Sequence, residues 1–141
     1  MLLEPTALAS ALRYLAESLE QDYALDPAPL FAKAGFPRER THQSGARVSQ
    51  RAARHLWELS IAATGDPACG LNVGRHIRPE GLHALGYAWM SSRNLVDAFT
   101  RLCRYAEVLV TIPLNWTLQG EAGGSRFTAA FPDPAHQPHE A

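Results

Sequence analysis

Leu8, Ala11, Leu12, Leu15 and Leu19 recur at three- and four-residue spacing across residues 6–21, while Arg13 and Glu17 lie one turn apart on the other face. The pattern predicts a first helix with Thr6 as its N-cap. Asp26-Pro27 reads as cap plus first-turn proline and Gly35 as a stop, so a short second helix is expected over Pro27–Ala34. Beyond a polar loop from Pro37 to Gly45, Ser49 caps a third helix with an apolar stripe of Ala53, Leu56, Trp57 and Ile61, ending at Gly65. Asp66-Pro67 repeats the cap-and-proline device and opens a short segment through Leu71 and Val73. Leu82–Met90 is mostly apolar with Gly86 inside, which predicts a short buried helix. The fourth strong helix spans Asn94 to Val110. Asn94 caps it and Asp97 takes the place of the capping-box acid. Leu95, Phe99, Leu102, Ala106 and Leu109 form its stripe, Cys103 and Val110 widen it, Asp97 and Arg101 pair outside, and Pro113 forbids continuation.

The period then changes. Leu114 to Gln119 alternates apolar with polar, Glu121-Ala122-Gly123-Gly124 is turn chemistry, and Phe127 to Phe131 follows, so a β-hairpin is predicted. The fold class expected is α+β: an N-terminal helical part packed on an antiparallel sheet of which one hairpin is present. An isolated hairpin is marginal in water, and the tail of residues 132–141, with its prolines, offers no further strand. The expected organisation is one domain over residues 1–131, incomplete at its C-terminal end, followed by a flexible tail over 132–141.

With 141 residues, 46% apolar and 19% charged, the chain has the composition of a globular domain rather than of a coiled coil or a disordered segment. No window approaches the roughly 18 apolar residues of a membrane span, and Met1-Leu2-Leu3-Glu4-Pro5 lacks the basic region of a signal peptide. Two cysteines, Cys69 and Cys103, fit a reducing, cytoplasmic setting better than a disulfide framework. The formal charge of −1 hides an uneven distribution: the net is −4 over residues 1–32, +5 over 33–54 and −2 over 55–141. A basic stretch of this length is expected to be a solvated face balanced by the acidic first helix.

Catalytic signatures are not found. There is no G-x-S-x-G elbow, and Gly70-x-x-x-Gly74 lacks the Lys-Ser/Thr of a P-loop. Cys69, His76 and His83 are spaced by sevens, the basis of an alternative reading as a small metal-dependent enzyme. However, Arg78-Pro79-Glu80-Gly81 interrupts a continuous helix, and no metal or other cofactor is expected. The helix after Gly65 is too small and apolar to read bases, so direct DNA contact is not expected. Arg75, His76, Tyr87, Trp89, Arg104 and Trp116 remain as an aromatic and cationic set suited to a small carboxylate. Val108 and Val110, off the main stripe of the fourth helix, are candidate dimer-interface residues.

Gly70-Leu71-Asn72-Val73-Gly74-Arg75-His76-Ile77-Arg78-Pro79, followed by Leu85-Gly86-Tyr87-Ala88-Trp89-Met90-Ser91-Ser92 and Leu102-Cys103-Arg104-Tyr105, resembles the N-terminal effector-sensing, arabinose-binding-like domain of AraC-family transcriptional regulators. Ala34-Gly35-Phe36-Pro37 and the Leu56-Trp57 pair fit the same pattern. The resemblance implies a cytoplasmic ligand-sensing and dimerising domain whose partner is a small-molecule effector; the aromatic and cationic set favours an amino or organic acid over a sugar. It also implies that DNA is contacted only through a C-terminal helix-turn-helix domain outside this chain, with no membrane partner. The competing reading is a stand-alone protein-interaction module.

Overall fold

The computed structural model describes residues 4–112 and 114–131. The proline stop at Pro113 and the tail of residues 132–141 lie outside them. The described residues form two compact units that divide between Ile77 and Arg78.

The first unit opens with a strand, not a helix. β1 (Thr6–Leu8) pairs antiparallel with β2 (Arg47–Ser49), in the register Thr6↔Ser49, Ala7↔Val48 and Leu8↔Arg47. α1 therefore begins only at Ser10 and runs to Gln21, and Thr6 is not its N-cap. The reason lies across the chain. Thr6 Oγ1 accepts from Arg47 Nε at 2.6 Å, its carbonyl accepts from Arg47 Nη2 at 3.2 Å, and a ladder satisfies the backbone that a helical first turn would have used. Neither strand was expected, because three residues are too few to show a period of two.

The apolar spacing of α1 does select its inner face: Leu12, Leu15 and Leu19 are buried together with Tyr14 and Ala16. Against it pack Phe31 of α2 (Ala28–Lys33), Phe36, Val48, Leu56 of α3 (Gln50–Thr64) and Val73 of α4 (Cys69–His76). Fully burying each large apolar side chain of this cluster contributes roughly 1.5–3 kcal/mol. The punctuation read for α3 is in place. Ser49 Oγ accepts from Ala52 N at 3.2 Å, and Gly65 closes α3 in the left-handed region at φ 66°. Asp26 and Asp66 each accept from the backbone N–H two residues on, at 3.0 and 2.8 Å, but neither is the N-cap expected of it. α2 is capped by Pro27 and α4 by Ala68, because each Asp closes a turn ahead of the helix. The basic stretch is largely engaged at the surface: Arg38, on a 3₁₀ turn (Arg38–His42), pairs with Glu20 of α1 at 2.7 Å, and Arg54 pairs with Glu58 at 3.0 Å.

In the second unit a 3₁₀ turn (Pro79–Leu82) leads into α5 (His83–Met90) and α6 (Leu95–Tyr105). α5 is not buried all round: Leu85 and Gly86 are enclosed, but Tyr87 is 65% and Met90 67% exposed. An eight-residue helix packed against α6 and the turn before it covers one face only. α6 is capped as expected, Asn94 Oδ1 accepting from Asp97 N at 2.9 Å. It stops short of Val110, however, because Tyr105 leaves helical geometry at φ −118° and a 3₁₀ turn (Ala106–Val108) follows. Of the predicted stripe, Ala106 is buried and Leu95, at the first helical position, is 69% exposed, while Ala98, outside the stripe, is buried as well. Arg101 reaches further than its expected pairing with Asp97 (3.3 Å): Nη1 donates to the Ala88 carbonyl at 2.8 Å, tying α6 to the C-terminal end of α5. β3 (Asn115–Glu121) and β4 (Gly124–Ala130) form the predicted hairpin around Ala122-Gly123, with Gly123 at φ 91°. The architecture is α+β, with two separate antiparallel two-stranded sheets rather than one hairpin alone.

Candidate functional site

A concavity lies in the second unit, where the end of α6 faces the start of β3. Helix periodicity places Cys103 and Arg104 on the last turn of α6, and the 3₁₀ turn carries Glu107 to the same rim. Val110, Ile112 and Leu114 supply an apolar wall, and Asn115 and Trp116 close the other side. The cleft is open to solvent and measures about 760 Å³, within the roughly 300–1,000 Å³ typical of small-molecule sites.

Arg104 and Glu107 are the charged side chains of this cleft among the described residues, and both are exposed. Neither makes a side-chain hydrogen bond or ion pair with a described residue, not even with the other one turn away. An unengaged guanidinium that lines a cleft with a tryptophan can receive a carboxylate through two parallel N–H donors, leaving the ring for the ligand's apolar part. Burial pushes the Cys103 thiol pKa up, which keeps it protonated and unsuited to nucleophilic work.

Behind the cleft runs a chain of rings. Trp116 lies 5.7 Å from Phe127, Phe127 4.6 Å from Phe99, and Phe99 meets Trp89 edge-on at 4.9 Å. Arg104, Trp116 and Val110 are thus brought to one cleft, and Trp89 is joined to Trp116 through two rings that sequence reasoning did not include. Phe99 stood on the predicted stripe of α6, and Phe127 faces Leu118 across the hairpin. The alternation carried that signal, but only the pairing register turns it into a contact. Glu107 and Asn115 were also missed, since neither belongs to an aromatic or cationic pattern. Tyr87 stands exposed on α5, and Val108 is 45% exposed on the 3₁₀ turn.

Arg75 and His76 belong to the first unit, at the end of α4. His76 Nε2 lies 2.8 Å from Asp22 Oδ2, an oxygen that also accepts from Ser18 Oγ at 2.7 Å. The Ser18 and His76 bonds hold the Asp22 pKa below the usual carboxylate range, with Arg75 adding its charge. Alongside, Tyr23 donates to Asp66 Oδ2 at 2.5 Å and accepts from Asn72 Nδ2 at 2.7 Å. The Asp66 carboxylate raises the Tyr23 pKa, and the Tyr23 hydroxyl lowers that of Asp66. Together these bonds fasten α4 to the C-terminal end of α1. Cys69 is buried in this unit and its thiol is pushed up by burial and by Asp66. His83 opens α5, in the second unit. Among the described residues no group of three or more His, Cys, Asp or Glu side chains is placed to hold a metal ion, and no helix is long and apolar enough to cross a membrane.

Comparison with known proteins supplies the class. The family model for the arabinose-binding domain at the N-terminus of AraC transcription regulators matches residues 25–140. The chain is therefore a regulatory, ligand-sensing domain of a transcription regulator rather than a member of an enzyme family. It belongs to the family of AraC N-terminal arabinose-binding domains. Comparison with curated proteins returns no significant match.

Proposed function

We propose that this domain senses a small carboxylate-bearing metabolite, an amino or organic acid rather than a sugar, and that Arg104 receives the carboxylate. The observation that carries the reading is the exposed Arg104, without a described ionic partner, lining the same open cleft of about 760 Å³ as Trp116. Of the other residues read from the sequence as ligand contacts, Tyr87 and Trp89 stand in the same unit as this cleft, and Arg75 and His76 stand in the first unit. In this reading the effector binds one conformation of the domain better than another and shifts the population toward it. The shift is passed to helix-turn-helix units carried elsewhere in the regulator, which contact the DNA, and the whole works in the cytoplasm as a homodimer. Val108 and Val110 are the proposed dimer contacts, supported by the exposure of Val108 next to the cleft.

Calorimetry on the complete regulator, with short carboxylates set against arabinose, tests the ligand class. The expected result is carboxylate binding that weakens at least tenfold in Arg104→Ala, as loss of a charge-assisted bond worth about 1.5–3 kcal/mol requires. Arabinose binding with no carboxylate response, or unchanged carboxylate affinity in the variant, would overturn the reading. For the interface, Val108→Lys is expected to give a monomer with unchanged circular dichroism; a wild-type monomer at high concentration refutes it.

A further inference from the structure

We infer that Glu107 is a specificity-determining residue of the Arg104 cleft, selecting ligands that carry a cationic group as well as an anionic one and turning away dianions. The inference rests on the reading that this cleft takes the effector. Arg104 and Glu107 reach the same rim from consecutive turns, α6 and the 3₁₀ turn after it, and are its charged side chains among the described residues. One positive and one negative group leave the cleft with no net charge. Both are exposed and unengaged with any described residue, so each is free to meet a ligand group of opposite sign.

Two further features point the same way. The C-terminal end of α6, beside Glu107, carries the partial negative charge of its last carbonyls and adds to the field that favours a cation there. The remaining polar atoms of the wall, from Asn115, Thr111 and Thr117, are neutral and offset neither charge. A ligand with one carboxylate and one ammonium group satisfies both side chains. A dicarboxylate satisfies Arg104 but brings its second charge towards Glu107, where the like-charge contact weakens binding.

The test uses the full regulator and four probes on a five-carbon skeleton: pentanoate, glutarate, 5-aminopentanoate and L-norvaline. Wild type should bind at least one of the two zwitterions more tightly than glutarate. In Glu107→Gln that zwitterion should weaken about fivefold and glutarate tighten by a similar factor, the scale of a partly exposed charge pair. Glu107→Asp should keep the wild-type order. An unchanged zwitterion-to-glutarate ratio in Glu107→Gln, with Arg104→Ala still weakening pentanoate, overturns the role of Glu107 and leaves the cleft standing. Pentanoate binding that is indifferent to Arg104→Ala, or no binding of any probe, overturns both. Circular dichroism confirms that the variants are folded.

Discussion

Replacing Gly86 by alanine sets two effects of opposite sign against each other. Gly86 is a buried residue inside α5, and in a helix alanine is preferred over glycine by about 1 kcal/mol. Propensity alone therefore predicts a gain in stability. The packing predicts a loss. A methyl group built on Gly86 would fall 2.5 Å from the carbonyl carbon of Pro79 and 3.0 Å from its Cα, and closer still to the carbonyl oxygen. Every one of these atoms is backbone, so no side-chain rotation relieves the overlap. The 3₁₀ turn from Pro79 would have to move off α5. Overpacking of this kind costs typically 1–3 kcal/mol and sometimes more; since the obstacle is main chain, we take the upper end and expect a net loss of about 2 kcal/mol. Urea unfolding followed by tryptophan fluorescence reads it, because Trp89 on the same helix packs against Phe99. The midpoint should fall with the slope unchanged. Gly74→Ala is the control: this glycine is exposed in α4 with no neighbouring atom within 4 Å of the added methyl, so propensity should act alone and stabilise by about 0.5–1 kcal/mol. If Gly86→Ala is as stable as wild type or more so, the close approach is not what requires glycine there.

The α3 cap and the α1–α4 ties give two more expectations. Ser49→Ala removes the acceptor of the Ala52 N–H and should lower the stability of the first unit by about 1 kcal/mol, measured by thermal unfolding. Asp22 and Asp66 have folded pKa values below their ordinary ones, so the stability they contribute is present above the unfolded carboxylate pKa and is lost as pH falls through the folded values. Acid titrations should show that loss in wild type and a shallower one in Asp22→Asn and Asp66→Asn; identical acid limbs would contradict the assigned bonds. Tyr23 has the opposite sign. Its raised pKa means a contribution present below the ordinary tyrosine pKa and lost as pH rises through the folded value, and Tyr23→Phe should remove that alkaline loss.

Helix existence was legible from the sequence because its signals are local. Ser49, Gly65 and Asn94 each terminate or start an element through atoms only a few residues away. The stripes of α1 and α3 likewise select Leu15 and Leu56 for burial without reference to the rest of the chain. What failed was non-local. Thr6 looks like a cap until Arg47 and Ser49 are brought opposite it, and a pairing across some forty residues leaves no trace in a short window. The candidate site divides in the same way. Arg104 and Trp116 could be chosen by residue type, whereas Glu107 and Asn115 enter through the turn after α6 and the start of β3, and Phe127 through strand register. Grouping Arg75 and His76 with the later aromatics followed nearness in sequence, but α4 ends one unit and Tyr87 stands in the next. His76 also meets Asp22, fifty-four residues earlier, which no spacing rule relates to it.

The β1–β2 ladder makes the start of α3 depend on the beginning of the chain. The carbonyl of Pro5 accepts from the Gln50 N–H at 2.8 Å, so one of the orphan donors at the N-terminus of α3 is met by a residue that left the ribosome some forty-five positions earlier. During synthesis β1 has no partner until β2 emerges, and closing that loop carries an entropic cost of order 3 kcal/mol for an unstructured segment of this length. α1 and α2 lie inside the loop and need only local contacts to begin forming, which shortens the effective chain to be closed. The first unit is thus expected to assemble from the middle outward, with its leading strand docking last.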